Sequence, residues 1–173
     1  MIAVTKLIDL LDKPALVGWA NKLGLKGIDL KDYYKQTQTE GNNNHNEVEL
    51  FLKEGKRFQG CELLEHTLND FEVIGIEENC NNDFIVGRID LILKHKKTNL
   101  IYVCDFKRNK SIYLKTKMQL SCYKHIIEAD KIAYINTDNF QLIEINIDTN
   151  KYYEIVKRLY QIYFLLNNLN EKL

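Results

Sequence analysis

At 173 residues with 45% hydrophobic content, the chain is long enough for one domain with a real core and short for two. Basic and acidic residues number 24 each, so the formal net charge is zero and no global field announces a polyanionic partner. No run approaches the roughly 18 to 20 apolar residues that span a membrane, and the opening Met-Ile-Ala-Val-Thr-Lys lacks the basic-then-apolar design of a secretory signal.

In chain order, residues 7–11 and 14–23 are predicted helical, with Pro14 at a tolerated first-turn position and Gly24 as a stop. Residues 27–40 are polar and mixed, which predicts a short helix and a loop. Gly41-Asn-Asn-Asn-His45 is loop-forming, and a helix is predicted to open at its end. Val48, Phe51, Leu52, Phe58, Leu63 and Leu64 supply the intermittent apolar face of that helix, with Gly55 and Gly60 as candidate breaks. Residues 71–76, 84–93 and 100–106 read as strands, 114–129 as an amphipathic helix, and 131–136 and 141–147 as further strands. A closing helix over 152–169 carries Tyr, Leu and Ile at helical spacing, a stripe that reads as packing. The four cysteines, Cys61, Cys80, Cys104 and Cys122, form no Cys-x-x-Cys pair. They indicate reduced thiols in a cytoplasmic protein, with Cys104 and Cys122 as small core hydrophobes and no zinc or iron–sulfur site expected.

The densest chemistry lies between Gly87 and Tyr123. Asp90 falls on one predicted strand and Asp105 with Lys107 on the next, joined by the polar turn His-Lys-Lys-Thr-Asn. A tight turn centred on Lys97 and Thr98 sets Asp90 directly opposite Asp105, with Cβ atoms roughly 5 Å apart. Like charges so placed destabilise a sheet unless a cation sits between them. Strand alternation turns Lys107 to the face of Asp105. The other face, Ile89, Leu91 and Leu93 with Tyr102, Cys104 and Phe106, is uniformly apolar and reads as core. Two carboxylates and an ammonium on one sheet face describe a divalent-metal site with a positive charge beside it.

Further residues gather around this set. Gln119 and Tyr123 are four apart on the following helix, so they share a face from which amide and hydroxyl can reach a phosphate or a base. His45, placed at a helix start, is a candidate to complete the metal shell. Lys94, Lys96, Lys97, Lys107, Arg108, Lys110, Lys115, Lys117 and Lys124 form a basic run expected around the site, and Arg88 lies on the carboxylate face. Arg88, Arg108, Lys110 and Lys115, with Gln119 and Tyr123, are the expected contacts to nucleic acid.

Taken in order, Gly-x-x-x-His-x-x-x-Glu, Gly-x-x-Asp, Asp-x-Lys and Gln-x-x-x-Tyr resemble the PD-(D/E)XK nuclease superfamily, in particular its RecB-like exonuclease branch. The resemblance covers about residues 41–136, and the opening Val-Thr-Lys-Leu-Ile-Asp with Lys-Pro-Ala-Leu and Trp19 is similar to the N-terminal segment of phage-encoded members. It implies an α/β, single-domain, restriction-endonuclease-like fold with a central mixed β-sheet flanked by helices. Within it, residues 1–40 form an N-terminal helical segment, 41–147 an αβββαββ core and 148–173 a C-terminal helix. It also implies a Mg²⁺- or Mn²⁺-dependent deoxyribonuclease, with His45, Asp90, Asp105 and the backbone carbonyl of Phe106 as metal ligands. Asp90, Asp105, Lys107, Gln119 and Tyr123 take the catalytic positions. The partner implied is single- or double-stranded DNA, with replication or recombination proteins as further candidates and the host cytoplasm as the location of a phage-encoded member. An endonuclease, or a non-catalytic nucleic-acid-binding protein on the same scaffold, is the alternative. The residue before His45 departs from the small or apolar one that relatives more often carry. Relatives with a cysteine-bound cluster group their cysteines C-terminally, and this chain has none after Cys122.

Overall fold

A computed structural model describes residues 1–11, 20–108 and 112–170. Pro14, Trp19 and Lys110, and with them most of the helix predicted over 14–23, lie outside the described residues. The chain divides into two compact units, one of Met1–Leu10 with Gln59–Leu173 and the other of Leu11–Phe58. Among the described residues no helix is long and apolar enough to cross a membrane.

The 11–58 unit is built on one long helix. Strand β1 (Ile2–Ala3) and helix α1 (Val4–Ile8) precede it in the other unit, and α2 then runs over Leu30–Glu54. Asp29 caps its start by accepting from the amides of Lys31 at 2.7 Å and Asp32 at 3.1 Å. Gly55, at φ 73°, ends it in the left-handed conformation that glycine adopts without penalty. The loop expected over Gly41–Asn44 is therefore absent, and His45 sits inside a helix rather than at its start. The propensity penalties of Gly and Asn are weak, about 1 kcal/mol or less each. Helix propagation between two well-capped ends carries across them.

The other unit holds a mixed sheet packed against helices. Helix α3 (Cys61–Leu68) leads into β2 (Phe71–Asn81), β3 (Ile85–His95) and β4 (Ile101–Lys107). Helix α4 (Leu114–Ile126), β5 (Lys131–Asn136), β6 (Leu142–Glu144) and α5 (Thr149–Asn170) complete it. Strands β2 and β3 form an antiparallel hairpin, closed where Asn82 Oδ1 accepts from the amides of Phe84 and Ile85, both at 3.1 Å. β3 and β4 are antiparallel, whereas β4 and β5 run parallel, joined through α4, and β6 returns antiparallel to β5. The molecule is thus of the mixed α/β class.

Burial explains the elements. Ile89, Leu91 and Leu93 are fully buried, as are Val103, Met118 and Cys122. Helix α4 is buried nearly all round, through Thr116, Met118, Leu120, Ser121, Cys122 and Tyr123, because the sheet lies against it on one side and α5 on another. An amphipathic helix was the expectation from sequence, and this double covering is why its polar residues are enclosed as well. All four cysteines are free and buried.

The two edges of β3 are used differently. One is paired with β2 from Asn81↔Val86 to Phe71↔His95. The other is shared: β1 takes Ile85 and Val86 in parallel, and β4 takes Leu91 to Lys94. Residues 87–90 lie in the fork between those two partners.

Candidate active site

The fork holds Asp90. The predicted hairpin register is the observed one, with Leu91 facing Cys104 and Ile92 facing Val103, and the ladder stops one step short of Asp90 and Asp105. In place of the next backbone pair, Asp90 Oδ2 accepts the amide of Phe106 at 3.1 Å. That satisfies a donor which the parting strands would otherwise strand in the interior. Asp105 is 5% exposed and stands near the C-terminal end of β4. β4 and β5 are parallel neighbours, and the C-terminal ends of such strands are where open α/β sheets place ligands.

The two carboxyls feel each other. Burial, and after it the charge of Asp105, holds the Asp90 carboxyl well above the usual carboxylate range, against the opposing pull of the Phe106 amide. The neighbouring Cys104 thiol is pushed far up, by burial first and by Asp105 and Asp90 after it. Lys107 Nζ lies 2.8 Å from Asp105 Oδ2, on a side chain that reaches partly into solvent. The angle of that ion pair falls short of a hydrogen bond, so this buried oxygen accepts none. Asp90, Asp105 and Lys107 therefore come together as the strand alternation predicts.

Gln119 and Tyr123 come together too. Gln119 Nε2 donates to the Tyr123 hydroxyl at 3.1 Å. Tyr123 is 4% exposed, and burial pushes its hydroxyl up to about 12 against the help of Gln119 and the Arg88 amide. Its ring packs on Gly87, where an added Cβ would fall 2.6 Å from the hydroxyl oxygen. The glycine of Gly-x-x-Asp is thus the seat of the tyrosine of Gln-x-x-x-Tyr. The tyrosine, whose hydroxyl is expected to reach a phosphate or base, braces α4 against the stretch of β3 that is paired on the β2 edge alone.

The surrounding cations are dispersed. Lys94, Lys96 and Lys97 lie toward the hairpin turn, and Lys96, six residues beyond Asp90 on the chain, is roughly 20 Å along the strand from it. Lys96 Nζ donates to the Asn69 carbonyl at 2.6 Å. Lys115 pairs with Asp9 at 3.2 Å and Arg108 with Asp138 at 3.3 Å, all on exposed side chains. Lys94, Lys96 and Lys97 do not gather round the carboxylates, because a hairpin carries its turn away from the far ends of its strands.

One carboxylate escapes the sequence reading. The first strand was expected to end at Ile76, but β2 continues to Asn81 and brings Glu77 to the level of Asp90. A Glu77 carboxylate oxygen lies within 4.8 Å of one on Asp90, and Arg88 Nε lies 2.6 Å from Glu77 Oε2. Gly75 was the available signal. A glycine inside a strand pattern marks a bulge, and the register shifts between Val73 and Gly75.

These groups suit a hard divalent cation. Asp105 Oδ2 and Glu77 Oε2 are buried oxygens without a hydrogen bond, and Asp90 and Asp105 repel unless a positive charge lies between them. His45 belongs to the 11–58 unit, where it is half-buried on α2. The Phe106 amide is committed to Asp90, and its side chain is in the core.

No family model and no curated protein matches this chain. Among solved structures, one described as "Crystal structure of SSO0001" aligns over 94% of this chain and 75% of that one, at 21% identity and a TM-score of 0.47.

Proposed function

We propose that the chain is a metal-dependent deoxyribonuclease of PD-(D/E)XK type, on a restriction-endonuclease-like fold, cutting DNA from its ends. The observation that supports this reading is the pairing of half-buried Asp90 with buried Asp105, with Lys107 2.8 Å from Asp105. Structural carboxylates are not ordinarily brought face to face inside a sheet, whereas phosphodiester hydrolysis needs such a pair to hold a cation. Mg²⁺ or Mn²⁺ would be held by Asp90 and Asp105, with the Phe106 carbonyl as a further donor. When bound, such an ion supplies positive charge at the phosphate and lowers the pKa of a coordinated water.

The chain's own groups account for the rest. The Phe106 amide fixes the orientation of Asp90, so the carboxylate reaches the reaction preorganised. The Lys107 ammonium can orient the attacking water and neutralise charge developing on the phosphate. Gln119 and Tyr123 hold α4, and through Gly87 the strand bearing Asp90, in place. Arg88, Arg108 and Lys115, all on the exterior, offer contacts to the phosphate backbone.

Metal-dependent digestion of end-labelled linear and covalently closed circular DNA tests the reading, with Asp105→Asn as the control. Cleavage of the linear form alone supports an exonuclease, and cleavage of both forms an endonuclease. Binding without cleavage by the wild type, or cleavage that survives in Asp105→Asn, overturns it.

A further inference from the structure

Glu77 falls between the pairs Ile76↔Leu91 and Glu78↔Ile89 and so stands across from Asp90 on the β2 side of β3. Its backbone takes φ 56°, a left-handed conformation that side-chain-bearing residues seldom adopt. That conformation, together with the upstream register shift, accompanies the approach of its carboxylate to within 4.8 Å of Asp90. The Glu77 side chain is only 8% exposed, and its Oε2 is buried without a hydrogen bond. A buried charge so placed is unfavourable unless a cation compensates it. The cation beside it is Arg88, whose side chain is 66% exposed. A guanidinium reaching in from solvent can be exchanged for another cation without opening the core.

We propose that Glu77 is a third carboxylate ligand of the cation held by Asp90 and Asp105, and that Arg88 competes with that cation for Glu77. The inference rests on the metal-centre reading above and deepens it. Three carboxylates on one site favour a hard divalent ion of high charge density, because ligand charge governs affinity in all-oxygen sites. Arg88 then has two states, paired with Glu77 when the ion is absent and released when it is present. The released state leaves a guanidinium, suited to bidentate phosphate contact, beside the loaded site.

Mn²⁺ alone, titrated into the chelator-stripped full chain with the free ion read by electron paramagnetic resonance, tests this. Glu77→Gln should weaken Mn²⁺ binding by about tenfold or more. Arg88→Ala should strengthen it, and the double variant Arg88→Ala/Glu77→Gln should lose that gain. A glutamate that merely anchors a surface arginine gives no such reversal of sign. Because Arg88 is exposed, its variant carries the test even where Glu77→Gln does not fold, as judged by circular dichroism. Wild-type affinity in Glu77→Gln, with binding abolished in Asp105→Asn, overturns the role of Glu77 and leaves the metal-centre reading standing. Weakened or unchanged binding in Arg88→Ala overturns the competition. No Mn²⁺ binding by the wild type removes both readings together.

Discussion

A carboxyl that binds its proton more tightly in the folded chain than in the unfolded one makes stability fall as pH rises. Asp90 is such a group, raised from 3.8 by burial and by Asp105. Its penalty is absent below the unfolded value and grows as pH climbs from there through the raised folded value. Asn at position 90 keeps an oxygen for the Phe106 amide and removes the charge. In chelator-treated buffer, the thermal midpoint of Asp90→Asn should therefore draw ahead of the wild type as pH increases from about 4, and the two should converge below it. A gap that stays constant from pH 4 to 8 would show that the Asp90 charge is not the cause. Lys107 calls for a kinetic test. On the proposed nuclease reading its charge acts on the transition state, so Lys107→Ala should slow single-turnover cleavage by about 10²- to 10³-fold while leaving the affinity for DNA within a few-fold. Loss of binding as complete as the loss of cleavage would instead make Lys107 a substrate anchor.

Between elements, the contact that holds the site is Tyr123 of α4 on Gly87 of β3. Gly87→Ala drives a methyl into the ring and should cost about 1–3 kcal/mol. Removing the ring with Tyr123→Ala should cost about 3–5 kcal/mol, and adding Gly87→Ala to that background should cost almost nothing further. Urea melts of the two single variants and the double measure the coupling, and additive losses would show that the two residues do not meet. This contact also marks how far the sequence could be read. Alternation between apolar and charged residues located β3 and β4 and their register, because a one-residue slip would have turned Asp90 and Ile89 inside out. The bounds of β5 were equally legible in the run from Lys131 to Asn136. What local pattern could not show was set by distant partners. Tyr123 was readable as a face-sharing neighbour of Gln119, but the strand it leans on lies more than thirty residues earlier in the chain. Glu77 was lost because the bulge near Gly75 depends on pairing with β3. Gly41–Asn44 are helical although their residues favour a loop, because those weak individual preferences are outweighed by caps at Asp29 and Gly55.

For the molecule as a whole, zero net charge leaves no net attraction for a polyanion at long range, so on the proposed reading binding energy comes from the local site. An ion that binds the folded chain and not the unfolded one raises stability by mass action, by about 2.7 kcal/mol when present at a hundred times its dissociation constant. For a chain of this length that corresponds to roughly 5–10 °C in the melting temperature. On the proposed metal-centre reading the Asp90–Asp105 pair supplies the differential, since unfolding separates the two carboxylates and dismantles the site. Wild type melted with saturating Mn²⁺ should shift upward by that amount relative to chelator-treated protein, while Asp105→Asn should shift by less than about 1 °C. In chelator alone the order should be level or reversed, with Asp105→Asn melting at or above the wild type. It loses a contact between like charges, and the Lys107 left behind can turn to solvent because its side chain is already 38% exposed. The pattern separates a functional carboxylate from a structural one. A residue kept for binding an ion is neutral or harmful to the empty fold and stabilising only when loaded, whereas a residue kept for the fold lowers the melting temperature equally in both buffers when it is replaced. Scanning calorimetry on the two proteins, with and without Mn²⁺, decides between these, and equal losses in both buffers would return Asp105 to the structural class.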